Sequence, residues 1–167
     1  MQNLITTREN LKMIEAFKGK DSRFCRFWKL EDGRVLATNG QRLVLIRHES
    51  FNTLAAGSYT FASKPKYTKA LGEVIVDIEK EQFLAPALDR VLFTPEKTQD
   101  IRLDCEIAYT ALILTLFKMG LAVNFRLVED LPDYLFTVGI DTGKTKAAFF
   151  HNKGEVEIVI MGYVFKG

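Results

Sequence analysis

The chain has 167 residues, 47% of them apolar and 26% charged, and a formal net charge of +2. That composition is long and apolar enough for a sizeable core, and it excludes intrinsic disorder, collagen-like repeats and a coiled coil as the main architecture. No run approaches the length of apolar sequence that a transmembrane helix needs, and MQNLITTRENLK lacks the pattern of a signal peptide, so a cytoplasmic protein is expected.

In chain order, Asn3–Thr6 is a short β-prone segment, and Thr6 with Glu9 forms an S/T-x-x-E capping pattern. Leu11, Met13, Ile14 and Phe17 give one apolar face to a helix over Arg8–Lys18, which Gly19 is expected to end. Strand-like runs follow at Phe24–Leu30, Val35–Thr38, Arg42–His48 and Ser58–Ala62, with Asp32-Gly33 predicting a type I′ hairpin turn. Residues 63–99 fit no repeating scheme. Val74–Ile78 reads as a strand and Phe83–Leu88 as a short apolar turn, so the segment is either connecting strands or an insertion.

A second copy of the pattern starts near Asp100. It has a β-prone Ile101–Asp104 and a helix from Glu106 to about Met119, stopped by Gly120. Strands are expected at Leu121–Val128, Tyr134–Ile140, Thr145–His151 and Glu155–Phe165, with turns at Asp141-Thr142-Gly143 and Asn152-Lys153-Gly154. Two strand–helix–strands halves, about 1–62 and 100–167, predict one α+β domain with antiparallel sheets.

Few residues suggest chemistry. Cys25 and Cys105 lie far apart among apolar neighbours and read as reduced thiols. His48 and His151 are the only histidines; each ends a strand pattern, and neither belongs to a ligand-spaced cluster. The loop acids Glu129, Asp130 and Asp133 are more simply solvated than metal-binding. GIDTGKT at 139–145 fails as a phosphate loop, because its glycine spacing is short and a β-like run follows where a helix is required. No nucleophile, metal or cofactor constellation is present, and an enzyme is not expected.

Charge is uneven: residues 1–30 hold seven Lys or Arg against three Asp or Glu. RFCRFWK at 23–29 interleaves cations with aromatics, a pattern that can stack bases but that also fits core packing with outward basic residues. The first helix carries Arg8, Lys12 and Lys18, whereas the second is apolar around its whole circumference and is expected in a core or an interface.

The most informative run is EDGRVLATNGQRLVLI at 31–46. It resembles the bacterial sliding clamp, the beta subunit of DNA polymerase III, whose middle domain carries D-G-x-x-x-x-x-A-T-D-G-H-R-L-A. Ala37-Thr38-Asn39-Gly40-Gln41-Arg42-Leu43 matches that motif at five of seven positions, with Asp32-Gly33 preceding it at shorter range. Val156–Met161 is similar to the run before the Met-Pro-Met ending of clamps, which Gly162-Tyr163 replaces here.

The resemblance implies a single clamp-like domain over 1–167 and a non-enzymatic role in DNA replication or repair. Arg8, Lys12, Lys18, Lys20 and Arg23 are then expected to contact the phosphates of duplex DNA without reading sequence. Thr38, Gly40, Gln41, Arg42 and Leu43 are expected to bind a partner such as a polymerase or another replication protein. A clamp chain has three such domains, so one domain per chain implies a homo-oligomer closed head to tail. The other expectation is an interaction module with this fold that binds a replication protein and not DNA.

Overall fold

The structure, a computed structural model, describes residues 1–67, 72–104, 106–141, 143 and 145–164. Cys105, Thr142, Lys144 and Phe165, named above, lie outside them. The chain forms two compact units, Met1–Pro86 and Ala87–Gly167.

The first unit contains β1 (Gln2–Thr7), α1 (Arg8–Phe17), β2 (Phe27–Lys29), β3 (Val35–Thr38), β4 (Arg42–Ile46), β5 (Gly57–Phe61), β6 (Lys66–Tyr67) and β7 (Glu73–Glu81). Its strands are antiparallel in the order β1-β7-β5-β2-β3-β4, and β6 also pairs with β7. The boundary at 86 assigns residues 63–86 to this unit because β7 stands between β1 and β5. In β7, Val74, Val76 and Ile78 face inward, the alternation that defines a half-buried strand.

The helix packs on β1, β3, β4 and β7 through buried Leu11, Met13, Ile14 and Phe17. Full burial of each such side chain is worth about 1.5–3 kcal/mol. Phe27 stacks on Tyr59 at 5.5 Å between ring centroids and leans on Phe61 at 5.3 Å.

The helix start differs from the sequence pattern by one residue. Thr7, not Thr6, caps it, with its hydroxyl accepting Asn10 N–H at 3.1 Å. Thr6 remains in β1 and is buried, so its hydroxyl is used inside the unit. Gly19 does not end α1 through a left-handed conformation: the helix closes at Lys18, whose N–H reaches the Ile14 carbonyl. Glycine is needed at 19 for closeness, since a Cβ there would stand 2.8 Å from that of Phe24.

The loop after β2 is also not the type I′ turn, which needs positive φ at both central residues. Only Gly33 has it, at 93°. Leu30 accepts from Gly33 N–H at 3.1 Å and donates to Arg34 at 2.8 Å, which closes a three-residue loop. Asp32 steadies that loop by accepting from the Arg34 N–H and guanidinium.

The second unit contains β8 (Thr98–Arg102), α2 (Glu106–Lys118), β9 (Leu121–Ala122), β10 (Leu135–Asp141), β11 (Lys146–His151), β12 (Val156–Met161) and β13 (Tyr163–Val164). Here the antiparallel order is β12-β11-β10-β8, with β13 and β9 as a separate pair. Phe136, Val138, Phe149, Ile158 and Ile160 form the inward face. Gly120 stops α2 with φ 101°.

Two expected strands are interrupted. Leu121–Val128 yields only β9, because the Asn124 side chain accepts Arg126 N–H at 3.0 Å and starts a 3-10 turn over Phe125–Leu127. The strand expected over 155–165 breaks at Gly162, where a Cβ would lie 2.6 Å from the Ala122 carbonyl. Asn152, Lys153 and Gly154 all have positive φ (51°, 56° and 84°) and turn the chain between β11 and β12. Among the described residues no helix is long and apolar enough to cross a membrane.

Candidate nucleic-acid and partner interface

On α1, Arg8, Glu9, Lys12 and Glu15 are exposed, because the inward positions are taken by the apolar face. Arg8 and Lys12, four residues apart, share one side of the cylinder. Lys18 is half-buried; its ammonium lies 3.4 Å from Glu15 and 5.0 Å from the centre of the Phe61 ring. Lys20 and Arg23 are exposed on the loop leaving the helix.

That loop is held by Asp21, whose carboxylate accepts the N–H groups of Arg23 at 2.9 Å and Phe24 at 2.8 Å. The Arg23 guanidinium lies 5.0 Å from the centre of the Phe24 ring. Residues 8–23 carry five cations and three carboxylates, a net excess of two, with Lys18 already beside Glu15. The exposed cations of residues 8–23 are Arg8, Lys12, Lys20 and Arg23.

The aromatic–basic run at 23–29 is not a stacking surface. Only Phe27–Lys29 is strand, and Phe27 and Trp28 are buried. The cations that sequence alternation sends outward also turn in. Arg26 lies with its Nε 3.0 Å from a Glu81 carboxylate oxygen, misaligned for a hydrogen bond, and its guanidinium 3.4 Å from the Phe83 ring centre. Lys29 donates to the carbonyls of Phe51 and Leu54.

The turn between β3 and β4 is built as a closed network. The Thr38 hydroxyl donates to the Arg42 carbonyl at 2.8 Å and accepts Gly40 N–H at 3.1 Å. The Asn39 side chain accepts the N–H groups of Gln41 at 2.9 Å and Arg42 at 3.0 Å. Gly40 takes φ 91°, where a side chain is strained. Thr38, Arg42 and Leu43 are each 6% exposed, so they shape the turn from inside, while Gly40 and Gln41 reach solvent.

Arg42 donates to the Ala16 carbonyl at 2.9 Å, and its guanidinium lies 4.2 Å from the Phe17 ring centre. A cation at the last carbonyls of a helix is favoured by the helix dipole, and the ring face adds a cation–π attraction. The residue thus fastens the end of α1 to β4.

Sequence reasoning missed the segment after β7. The Trp28 indole donates to the Phe83 carbonyl at 3.1 Å, and Ser58 accepts the Phe83 N–H at 3.0 Å. This segment borders a cavity of about 240 Å³ with Trp28, Leu30, Ala56 and Gly57, and Leu84 beside it is 96% exposed. No local pattern signals these bonds, since the partners are 25 and 55 residues apart in the chain.

In the second unit Lys146 donates to the Arg90 carbonyl, and Pro95 lies against Gly139. A cavity of about 500 Å³ there is bordered by Phe93, Pro95, Lys97, Met119, Ile140 and Asp141. On α2, Leu112 and Leu116 are buried but Leu114 and Phe117 are more than half exposed, leaving an apolar outer stripe. His151 is half-buried, stacked on Tyr134 at 4.0 Å, with Nδ1 3.1 Å from the Leu135 carbonyl.

Hydrogen bonds from Arg34 hold the Asp32 carboxyl below its usual range. Burial pushes the Tyr59 phenol up; it does the same to Tyr109, where Asp133 and Asp130 add to the effect.

Two compact strand–helix–strands units with antiparallel sheets define a clamp-like α+β fold, and comparison with solved structures agrees. The chain is similar to the DNA polymerase III beta subunit of Borrelia burgdorferi, solved in complex with a natural product, with a TM-score of 0.55 at 10% identity. It is likewise similar to the beta subunit of Pseudomonas aeruginosa, with a TM-score of 0.52 at 11% identity. These matches cover 100% and 99% of this chain, and 65% and 67% of those chains, or about two thirds of their length. No protein-family model and no curated protein matches the sequence.

Proposed function

We propose that this chain is a non-enzymatic, clamp-like protein of DNA replication or repair that contacts duplex DNA without reading its sequence and acts as a homo-oligomer. The observation that carries the reading is the fold likeness to beta subunits over essentially the whole chain at about a tenth identity. The two units are then the halves of one clamp-like domain, and the protein works in the cytoplasm.

Arg8, Lys12, Lys20 and Arg23 supply the phosphate contacts, with Lys18 in a supporting place beside Glu15. The outer strands β1 and β8 offer backbone groups for head-to-tail pairing between copies. By the resemblance a sliding clamp closes a six-domain ring from two three-domain chains, and six single-domain copies would supply the same number.

Reversing Lys12, Lys20 and Arg23 together to glutamate tests the DNA contact. Each lost phosphate contact lowers the slope of log affinity against log salt by about one. The triple variant is expected to bind a duplex of any sequence about a hundredfold more weakly at low salt. Equal binding and an equal salt slope in parent and variant overturn the DNA reading.

The apolar outer stripe of α2, with Leu114 and Phe117, favours the second reading: an interaction module that binds a replication protein and not DNA. In that case Gly40 and Gln41 form the contact surface, and Thr38, Arg42 and Leu43 hold its shape. Capture of a replication protein by the triple variant at the parent's level, with no DNA binding by either, selects it.

A further inference from the structure

We infer that Asn39 is a self-modifying residue, whose side-chain amide is hydrolysed to a carboxylate within the intact turn by way of the Gly40 backbone nitrogen. Asn39 is the one asparagine of the chain that a glycine follows. With no side chain at position 40, nothing crowds the approach of that nitrogen to the Asn39 side-chain carbon. Asn39 is half-buried and Gly40 is exposed, so water reaches the site.

The turn supplies what this acyl transfer needs. The Asn39 side-chain oxygen takes two backbone N–H groups, from Gln41 at 2.9 Å and from Arg42 at 3.0 Å. They polarise the carbonyl, and they are in place for the oxyanion of the tetrahedral intermediate that forms on the same oxygen. The Gly40 N–H donates to the Thr38 hydroxyl at 3.1 Å, which is itself committed as a donor to the Arg42 carbonyl. A bond along N–H lies in the peptide plane. It fixes that plane and leaves uncovered the face from which the nitrogen attacks.

Solvent hydroxide removes the Gly40 amide proton, the nitrogen bonds to the Asn39 side-chain carbon, and the bond from that carbon to Nδ2 breaks. Nδ2 takes a proton from water, which restores the hydroxide, and leaves as ammonia. Water then adds to the cyclic imide and breaks the new carbon–nitrogen bond, which gives aspartate. Opening at the other imide carbonyl gives isoaspartate instead. The two N–H donors sit on the side-chain carbonyl and activate that one, so aspartate is the main product in the folded chain. A carboxylate accepts the same N–H groups more strongly than an amide does. The product therefore fits the turn and places a negative charge beside Gln41.

The test is incubation of the full chain in heavy-oxygen water at mildly alkaline pH, folded and unfolded in urea, followed by peptide mass mapping. The peptide that carries Asn39 is expected to exchange an amino group for one labelled hydroxyl, ahead of every other asparagine peptide. A reaction that waits for the turn to open is slowed by the opening equilibrium, so a folded rate within about tenfold of the unfolded rate marks reaction in the closed turn. Isoaspartate is expected to be the minor product in the folded chain and the major one in the unfolded chain. Asn39→Asp is expected to resist urea at least as well as the parent. A folded rate slower than that margin, an excess of isoaspartate from the folded chain, or a less stable Asn39→Asp overturns the inference.

Discussion

Replacing Arg42 with alanine will destabilise the first unit by about 3 kcal/mol, measured as a shift of the urea unfolding midpoint. The side chain is 6% exposed and holds the Ala16 carbonyl at the end of α1 while lying over Phe17. Alanine removes a charge-assisted hydrogen bond and a desolvated cation–π contact, and it leaves a void between helix and sheet. Lysine does not restore them, because it lacks the flat guanidinium that lies over the ring. Gln41→Ala is the control: the side chain is exposed, and the change is expected to stay within about 0.5 kcal/mol. An Arg42→Ala protein as stable as its parent contradicts this role. The contrast also bears on partner binding, since any loss of capture in the Arg42 variant includes a loss of shape, whereas Gln41→Ala reports on contact alone.

Gly139→Val will free the segment that crosses the second unit before β8. A Cβ at Gly139 stands 2.3 Å from Pro95 Cβ and 3.0 Å from the Lys97 carbonyl. Valine is otherwise well suited to an inner strand, so its cost, about 1–3 kcal/mol, comes from displacing that segment. Arg90 and Lys97 are exposed and offer trypsin two sites there. Cleavage is expected to speed up about tenfold once the tie from Lys146 and the seat on Gly139 are lost. Unchanged cleavage, with unchanged stability, shows that β10 accommodates the side chain without moving the segment.

These two residues show where sequence reading succeeds and where it stops. The strand runs expected at Val35–Thr38 and Arg42–His48 and the apolar face of α1 follow from apolar runs and helical spacing, and they are present, the second strand ending at Ile46. The clamp-like fold was legible through the same run.

Arg42's burial was not, because its partners Ala16 and Phe17 lie about 26 residues earlier in the chain. Arg26 and Lys29 misled for the same reason: alternation assigns a cation to solvent unless a distant carboxylate or carbonyl receives it. Asn124 and Gly162 ended strands through a side-chain cap and a close backbone approach, two features that apolar patterning does not register. Gly139 did carry a signal, since a glycine inside a strand often marks the approach of another backbone.

The exposed cations are legible in the sequence as a local charge excess, and it is a modest one. Lys18 stands beside Glu15, and Glu9 shares the exposed surface with Arg8 and Lys12. A field this weak favours contact by an assembly over contact by one copy, since several copies multiply a small number of phosphate contacts.

The most direct measurement is therefore the native mass of the chain in solution, by light scattering over a wide concentration range. A ring of single-domain copies predicts a discrete hexamer that persists on dilution. A monomer or dimer at every concentration contradicts the ring, since it leaves too few domains to encircle a duplex.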